Sequence, residues 1–271
     1  MPLLPAIVPA IYLGAAVLLA RRLAAGEPER GPWSAASALA TAGMALHGVV
    51  LWQAIFAATG APIGVFEAAS VMTWAAVATL MLVHFFRPVE ELGLLVLPLA
   101  AVSVILNALW PAAAAAPSPL DAGTRVHAAL SVLAYAMLTL AACQAVFLAL
   151  QERRLANRRA LGALRALPPL QVQEGLLFQS LGVGFFLLSL ALVSGVVFVE
   201  DLLGQHLAHK TALSVAAWLV FAVLLWGRWR HGWRGRTAIR WSIGGFALLG
   251  LAYFGSKGVL ELVLGRHWWP D

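Results

Sequence analysis

Cysteine occurs once in the 271 residues, at Cys143, so neither an intrachain disulfide nor a cysteine-rich metal cluster can form. The redox state of the compartment leaves no mark. Charge is scarce too: Asp, Glu, Lys and Arg make up 11% of the chain against 62% hydrophobic residues, a balance outside the range of soluble domains. Basic residues outnumber acidic ones by 18 to 12, an excess that points either to nucleic acid or to arginines marking cytoplasmic loops. Position decides between these. The chain has no paired carboxylates within reach of a nucleophile, no P-loop, no His-Glu-x-x-His and no serine elbow between strand and helix. Without a catalytic constellation, a binding, handling or assembly role is expected in place of an enzyme. No basic segment follows Met1 and no small-residue cleavage site follows the first apolar run, so that run is expected to stay as a span. There is no fixed-period repeat.

What the chain has in abundance is long apolar runs. About 20 apolar residues rising 1.5 Å each cross the ~30 Å hydrocarbon core of a bilayer, and eight stretches meet that length: 3–20, 34–58, 62–86, 91–110, 126–150, 175–199, 211–227 and 238–264. The expectation is an all-α integral membrane protein, one polytopic domain over 1–271. Sorting the basic residues over alternate connections puts fourteen on one side: Arg21, Arg22, Arg30, Arg87, Arg153, Arg154, Arg158, Arg159, Arg165, Arg228, Arg230, Arg234, Arg236 and Arg240. The other side has Arg125, Lys210, Lys257 and Arg266. Such a bias marks the cytoplasmic side, puts both termini outside, and removes nucleic acid as a partner. The lipid bilayer takes its place, with the inner membrane as the expected location. Gln151 to Glu174, with Leu161, Leu164 and Leu167, is expected to lie along the inner surface until Pro168-Pro169 ends it.

Histidines gather on the outer side. His127 opens the fifth run, within Thr124-Arg125-Val126-His127 through Leu133-Ala134-Tyr135; His206, His209 and Lys210 stand before the seventh; His267 follows the eighth beside Trp268 and Trp269. Neutral imidazoles are good haem-iron and transition-metal ligands, and two on opposite faces of a porphyrin complete a six-coordinate iron. The plainer reading is that interfacial histidines reach water. His47 lies near the middle of the second run, where an ionisable group needs a partner: it either ligates a buried haem or hydrogen-bonds to Asn107, Ser103 or a backbone carbonyl. Glu67 and His84 stand near the ends of the third run and read as interfacial. Gly182, Gly184, Gly195, Gly244, Gly245, Gly250, Gly255 and Gly258 suit close helix packing or a flat ligand. Trp218, Trp226, Trp229, Trp233 and Trp241 read as an inner aromatic belt.

Several short motifs agree in order and spacing: Val126-His127 through Tyr135, Leu181-Gly182-Val183-Gly184-Phe185 with Ser194-Gly195, Lys210 before Trp218, Gly232-Trp233-Arg234-Gly235-Arg236, and Tyr253-Phe254-Gly255. Together, over about residues 120–264, they resemble the membrane haem-handling proteins of cytochrome c assembly, and within them the HemX-like inner-membrane subgroup. The resemblance implies haem held at the outer face between histidines and a tryptophan-rich loop, for delivery to an apocytochrome c or another biogenesis protein. His127 falls on the family's first outer histidine. The chain departs from the family where a Trp-Asp-Pro-Lys segment is expected, with Gly204-Gln205-His206-Leu207-Ala208-His209-Lys210 keeping only the lysine. Trp226 stands where a further family histidine is expected. On this reading His127 and His209 are the iron ligands, His206 or His267 are alternatives to His209, and Lys210 pairs with a propionate. Two other functions stay open: a scaffold or regulator that kept the bundle and lost haem, and a small-solute transporter with His47 on its path.

Overall fold

The computed structural model describes residues 4–27, 34–57, 64–111, 121–156, 167–198 and 205–255, without the side chains of 55–57, 156 and 205–208. In chain order these form α1 (Leu4–Ala24), α2 (Ala35–Ala57), α3 (Val65–His84), a 3-10 turn (Glu90–Leu92) leading into α4 (Gly93–Leu109), α5 (Ala122–Ala156), α6 (Leu170–Phe198), α7 (Gln205–His231) and α8 (Gly235–Gly250), which runs into a turn of π-helix (Leu251–Gly255). No strand occurs among the described residues. Eight of these helical segments are long and apolar enough to cross a membrane.

The helix ends differ from the hydropathy limits for a physical reason. Hydropathy marks only what lies in hydrocarbon, whereas a helix continues wherever its ends are capped. At 35 residues, α5 is about 50 Å long, far more than the bilayer core requires. Asp121 caps its start by accepting the backbone N–H groups of Gly123 and Thr124 at 2.8 and 3.1 Å. The far end takes in Gln151–Ala156, and α6 begins at Leu170 with Pro169 O accepting from Val172 N at 2.9 Å. Much of the stretch expected to lie on the inner surface is therefore the two helix ends; 157–166 fall outside the described residues. Gly232 (φ +65°) and Gly235 (φ +52°) take the left-handed conformation that lets α7 turn at once into α8.

Two apolar cores share α5. Its Ala136, Leu140, Cys143 and Phe147, spaced at helical intervals, join Tyr12, Leu80, Leu97 and Val104 of the first four helices. Its Ala134, Tyr135, Leu138, Ala141, Ala145 and Leu148 join Leu177, Leu181, Phe221 and Leu249 of the last three. Burial on both faces makes α5 the central helix: 72% of its most apolar stretch is buried, against at most 44% for any other span.

At the arginine-rich end, Arg22 is ion-paired with Glu90, and Ser34 Oγ donates to the same carboxylate at 3.0 Å. Ser34 Oγ also accepts the Ser37 N–H at 3.1 Å, capping α2, and Ser37 Oγ meets His84 Nε2 at 3.2 Å. This locks the ends of α1, α2 and α3 together. His84, expected at the interface, is only 4% exposed. Across the bundle, Glu174 of α6 accepts the Gly235 N–H at 2.6 Å and lies 3.9 Å from Arg228.

Candidate functional site around His127

His127 stands one turn inside α5, half-buried against α6. Its Nδ1 lies 2.9 Å from Ala191 O and 3.3 Å from Ser194 Oγ. A carbonyl oxygen only accepts, so Nδ1 carries the hydrogen, and in a neutral ring the lone pair resides on Nε2. Ser194 Oγ donates to the same carbonyl at 2.9 Å. Gly195 makes the fit possible: a Cβ there would sit 3.1 Å from His127 Cε1. This is how metal-binding histidines are commonly held, with one nitrogen anchored to a backbone oxygen and the other presented.

The neighbours come from α7 and the end of α8. Lys210 is close enough for its charge to reach the His127 ring, and its Nζ lies 5.0 Å from the Tyr253 ring centroid. Tyr253 and Phe254, in the π-helical turn, pack edge-on against Tyr135 at 6.1 and 6.4 Å. Tyr135 OH donates to Leu249 O at 2.7 Å, tying α5 to α8. Turns of π-helix inside α-helices are frequent at functional sites. Ala191, Ser194 and Gly195 thus hold the imidazole, and Tyr135, Lys210, Tyr253 and Phe254 form an aromatic and cationic cluster further along the same helix. At the start of α5, hydrogen bonds from Thr124, then from Gly123, hold the Asp121 carboxyl below its ordinary range.

The other expected ligands divide. His209 is exposed in the first turns of α7, at the same end of the bundle as His127. His206 is helical in backbone, but its side chain lies outside the described residues, as does all of His267. His47 is fully buried, with Nδ1 3.2 Å from Tyr12 OH and Nε2 2.8 Å from Ser70 Oγ. Its partners are therefore neither Asn107 nor Ser103; Ser103 pairs with Thr73 at 2.6 Å. With both nitrogens engaged, His47 presents no lone pair to a ligand. Trp218 is no belt residue either: it stacks on Phe185 at 5.3 Å and donates to Ser189 at 2.8 Å. Trp226 and Trp229, at 59% and 76% exposure, do fit a belt. No cluster of three His, Cys, Asp or Glu residues able to hold a metal ion occurs among the described residues.

The fold defines a multi-pass helical membrane protein in which α5 carries a half-buried imidazole near its first turns. The model of the family described as "Cytochrome C assembly protein" matches residues 36–264, and the chain belongs to that family. The match begins in α2, so it covers most of the first half as well as the motifs after residue 120. The chain is 38% identical over 141 residues to Inner membrane protein YpjD of Escherichia coli K12, covering 52% of this chain and 53% of that one. It is 34% identical over 209 residues to an uncharacterized 28.8 kDa protein of Azospirillum brasilense, covering 72% and 76%. With Protein HemX of Brevibacillus brevis it shares 24% identity over 203 residues, covering 71% and 73%. The alignment to the first of these spans about half the length of that relative. No solved structure matches the chain.

Proposed function

We propose that the protein binds haem at its outer rim as part of cytochrome c assembly, with His127 Nε2 as one axial ligand and a histidine of the first turns of α7 as the other. The reading rests on the Nδ1–H to Ala191 carbonyl bond, which fixes the tautomer and leaves the ligating nitrogen to the rim. The residues suit the group in other respects. Tyr253 and Phe254 offer aromatic surface, and Lys210 supplies a cation for a propionate. Residue 206 stands one helical turn from Lys210 on the same stripe of α7, whereas 209 is rotated from it by about 100°, so His206 and His209 must be tested separately. Two imidazole nitrogens on one iron lie about 4 Å apart. In this reading the haem is cargo: the chain holds it through imidazole and lysine and passes it to an apocytochrome c or another biogenesis protein. The arginine-rich end faces the cytoplasm across the inner membrane, and the role is binding, not catalysis.

The test is the absorption spectrum of detergent-purified parent protein beside His127→Ala, His206→Ala and His209→Ala. Haem bound by the parent and lost in His127→Ala supports the assignment, and the α7 variant that also loses it identifies the second ligand. Stoichiometric haem in His127→Ala overturns the reading. One observation favours a scaffold or regulator instead: the Gly204–Lys210 segment contains no tryptophan. Haem-free parent protein with a stable co-purifying partner supports that reading. The transporter reading rested on His47, whose engaged, fully buried ring gives it no support.

A further inference from the structure

At the opposite end of the bundle, the last turns of α5 and the first turns of α8 enclose a cavity of about 360 Å³. Arg153, Arg236 and Arg240 line it together with Glu152, over a floor of Ala149 and Ile239. The three arginines are exposed, and Ile239 is buried. The Arg22–Glu90 and Arg228–Glu174 pairs at this end use none of the three. Three guanidinium groups from two helices therefore face one carboxylate, a surplus of about two positive charges at a shared opening.

From this we infer an acidic-phospholipid site: the cavity takes the phosphodiester headgroup of an anionic glycerophospholipid, and the two-phosphate headgroup of a diphosphatidylglycerol matches its charge. Guanidinium groups bind phosphate oxygens in pairs of parallel hydrogen bonds. Basic pockets between membrane helices on the cytoplasmic side are suited to such headgroups. The volume falls at the lower end of the ~300–1,000 Å³ typical of small-molecule sites. Two features favour a lipid over a free phosphate ion. The floor is apolar, and the cavity sits where two bilayer-crossing helices leave the hydrocarbon, the depth at which headgroups lie. Glu152 opposes the anion and sets the net charge. The cavity lies at the far end of α5 from His127 and beyond the far end of α7 from His209, and its occupancy does not depend on haem.

The experiment is native mass spectrometry of the full chain in detergent, titrated with diphosphatidylglycerol, phosphatidylglycerol or phosphatidylcholine, with inorganic phosphate as a competing arm. The parent is expected to retain the diphosphatidyl lipid best and the neutral lipid least. At about fivefold per arginine, Arg236→Ala with Arg240→Ala lowers that affinity roughly 30-fold. Arg236→Lys with Arg240→Lys keeps the charge and loses the fork, giving an intermediate value and guarding against a folding defect. Arg21→Ala, exposed at the same end but outside the cavity, is expected to bind like the parent. Equal retention of the neutral lipid, full displacement by millimolar phosphate, an unchanged double alanine variant, or an equal loss in Arg21→Ala each overturns the proposal.

Discussion

His47 and His127 both sit on apolar helices of one bundle, yet they spend their nitrogens differently. His47, in the first core, gives one nitrogen to Tyr12 and the other to Ser70. His127, at the rim of the second, gives one to the Ala191 carbonyl, and the other takes no hydrogen bond among the described residues. A buried imidazole is costly until both its polar atoms are matched, so the saturated ring reads as a staple between helices. An imidazole anchored on one side only is aimed. Depth separates the two, and so does the count of engaged nitrogens.

Four measurements break or sharpen that contrast. The largest effect is expected from His127→Ala, which removes the haem absorption of the purified protein by more than tenfold while its thermal midpoint stays close to the parent's. Haem retained at one per chain defeats the idea. His47→Leu is expected to do the reverse. It strands the hydroxyls of Tyr12 and Ser70 at about 1–3 kcal/mol each, lowering the melting temperature and leaving the haem-to-protein ratio alone; a spectrum that changes with it would make His47 more than a staple. Third, Gly195→Ala places a methyl 3.1 Å from the His127 ring. A shift of a few tenths of an ångström costs about 1 kcal/mol and weakens haem severalfold in a binding titration, and an unaltered affinity would show that the ring is free to move. The smallest effect concerns Asp121. Because its folded pKa is depressed, its contribution is complete above the ordinary carboxylate value near ~4 and disappears as pH falls through the lower folded value. An acid melting series should show this modest loss in the parent and not in Asp121→Ala; parallel curves would remove the cap from the account.

The eight crossings were legible in the sequence because hydrocarbon imposes a length and a composition on each. Helix ends were not, since Asp121 and Pro169 act in water, where hydropathy is silent. His127 could be found from its place at the mouth of an apolar run and from the motif around it. Its anchor could not: the Ala191 carbonyl is backbone, and no residue type announces it. The Ser194-Gly195 pair was the available hint, and it cradles the ring. For His47 the need for a partner was readable, but not that Tyr12 supplies it, because a single sequence does not say which helices face each other. For the same reason a single sequence reads Trp218 as a belt residue, whereas it stacks on Phe185.

The shared helix α5 carries a consequence for biogenesis. A ribosome threads α1 to α4 into the bilayer while the groove meant for Ala136, Leu140, Cys143 and Phe147 is still lined by lipid. The first half can close only after the fifth segment arrives, and that same arrival delivers the rim imidazole. Maturation of the two halves is thereby synchronised, and a chain severed between α4 and α5 would deprive the leading fragment of its inner wall.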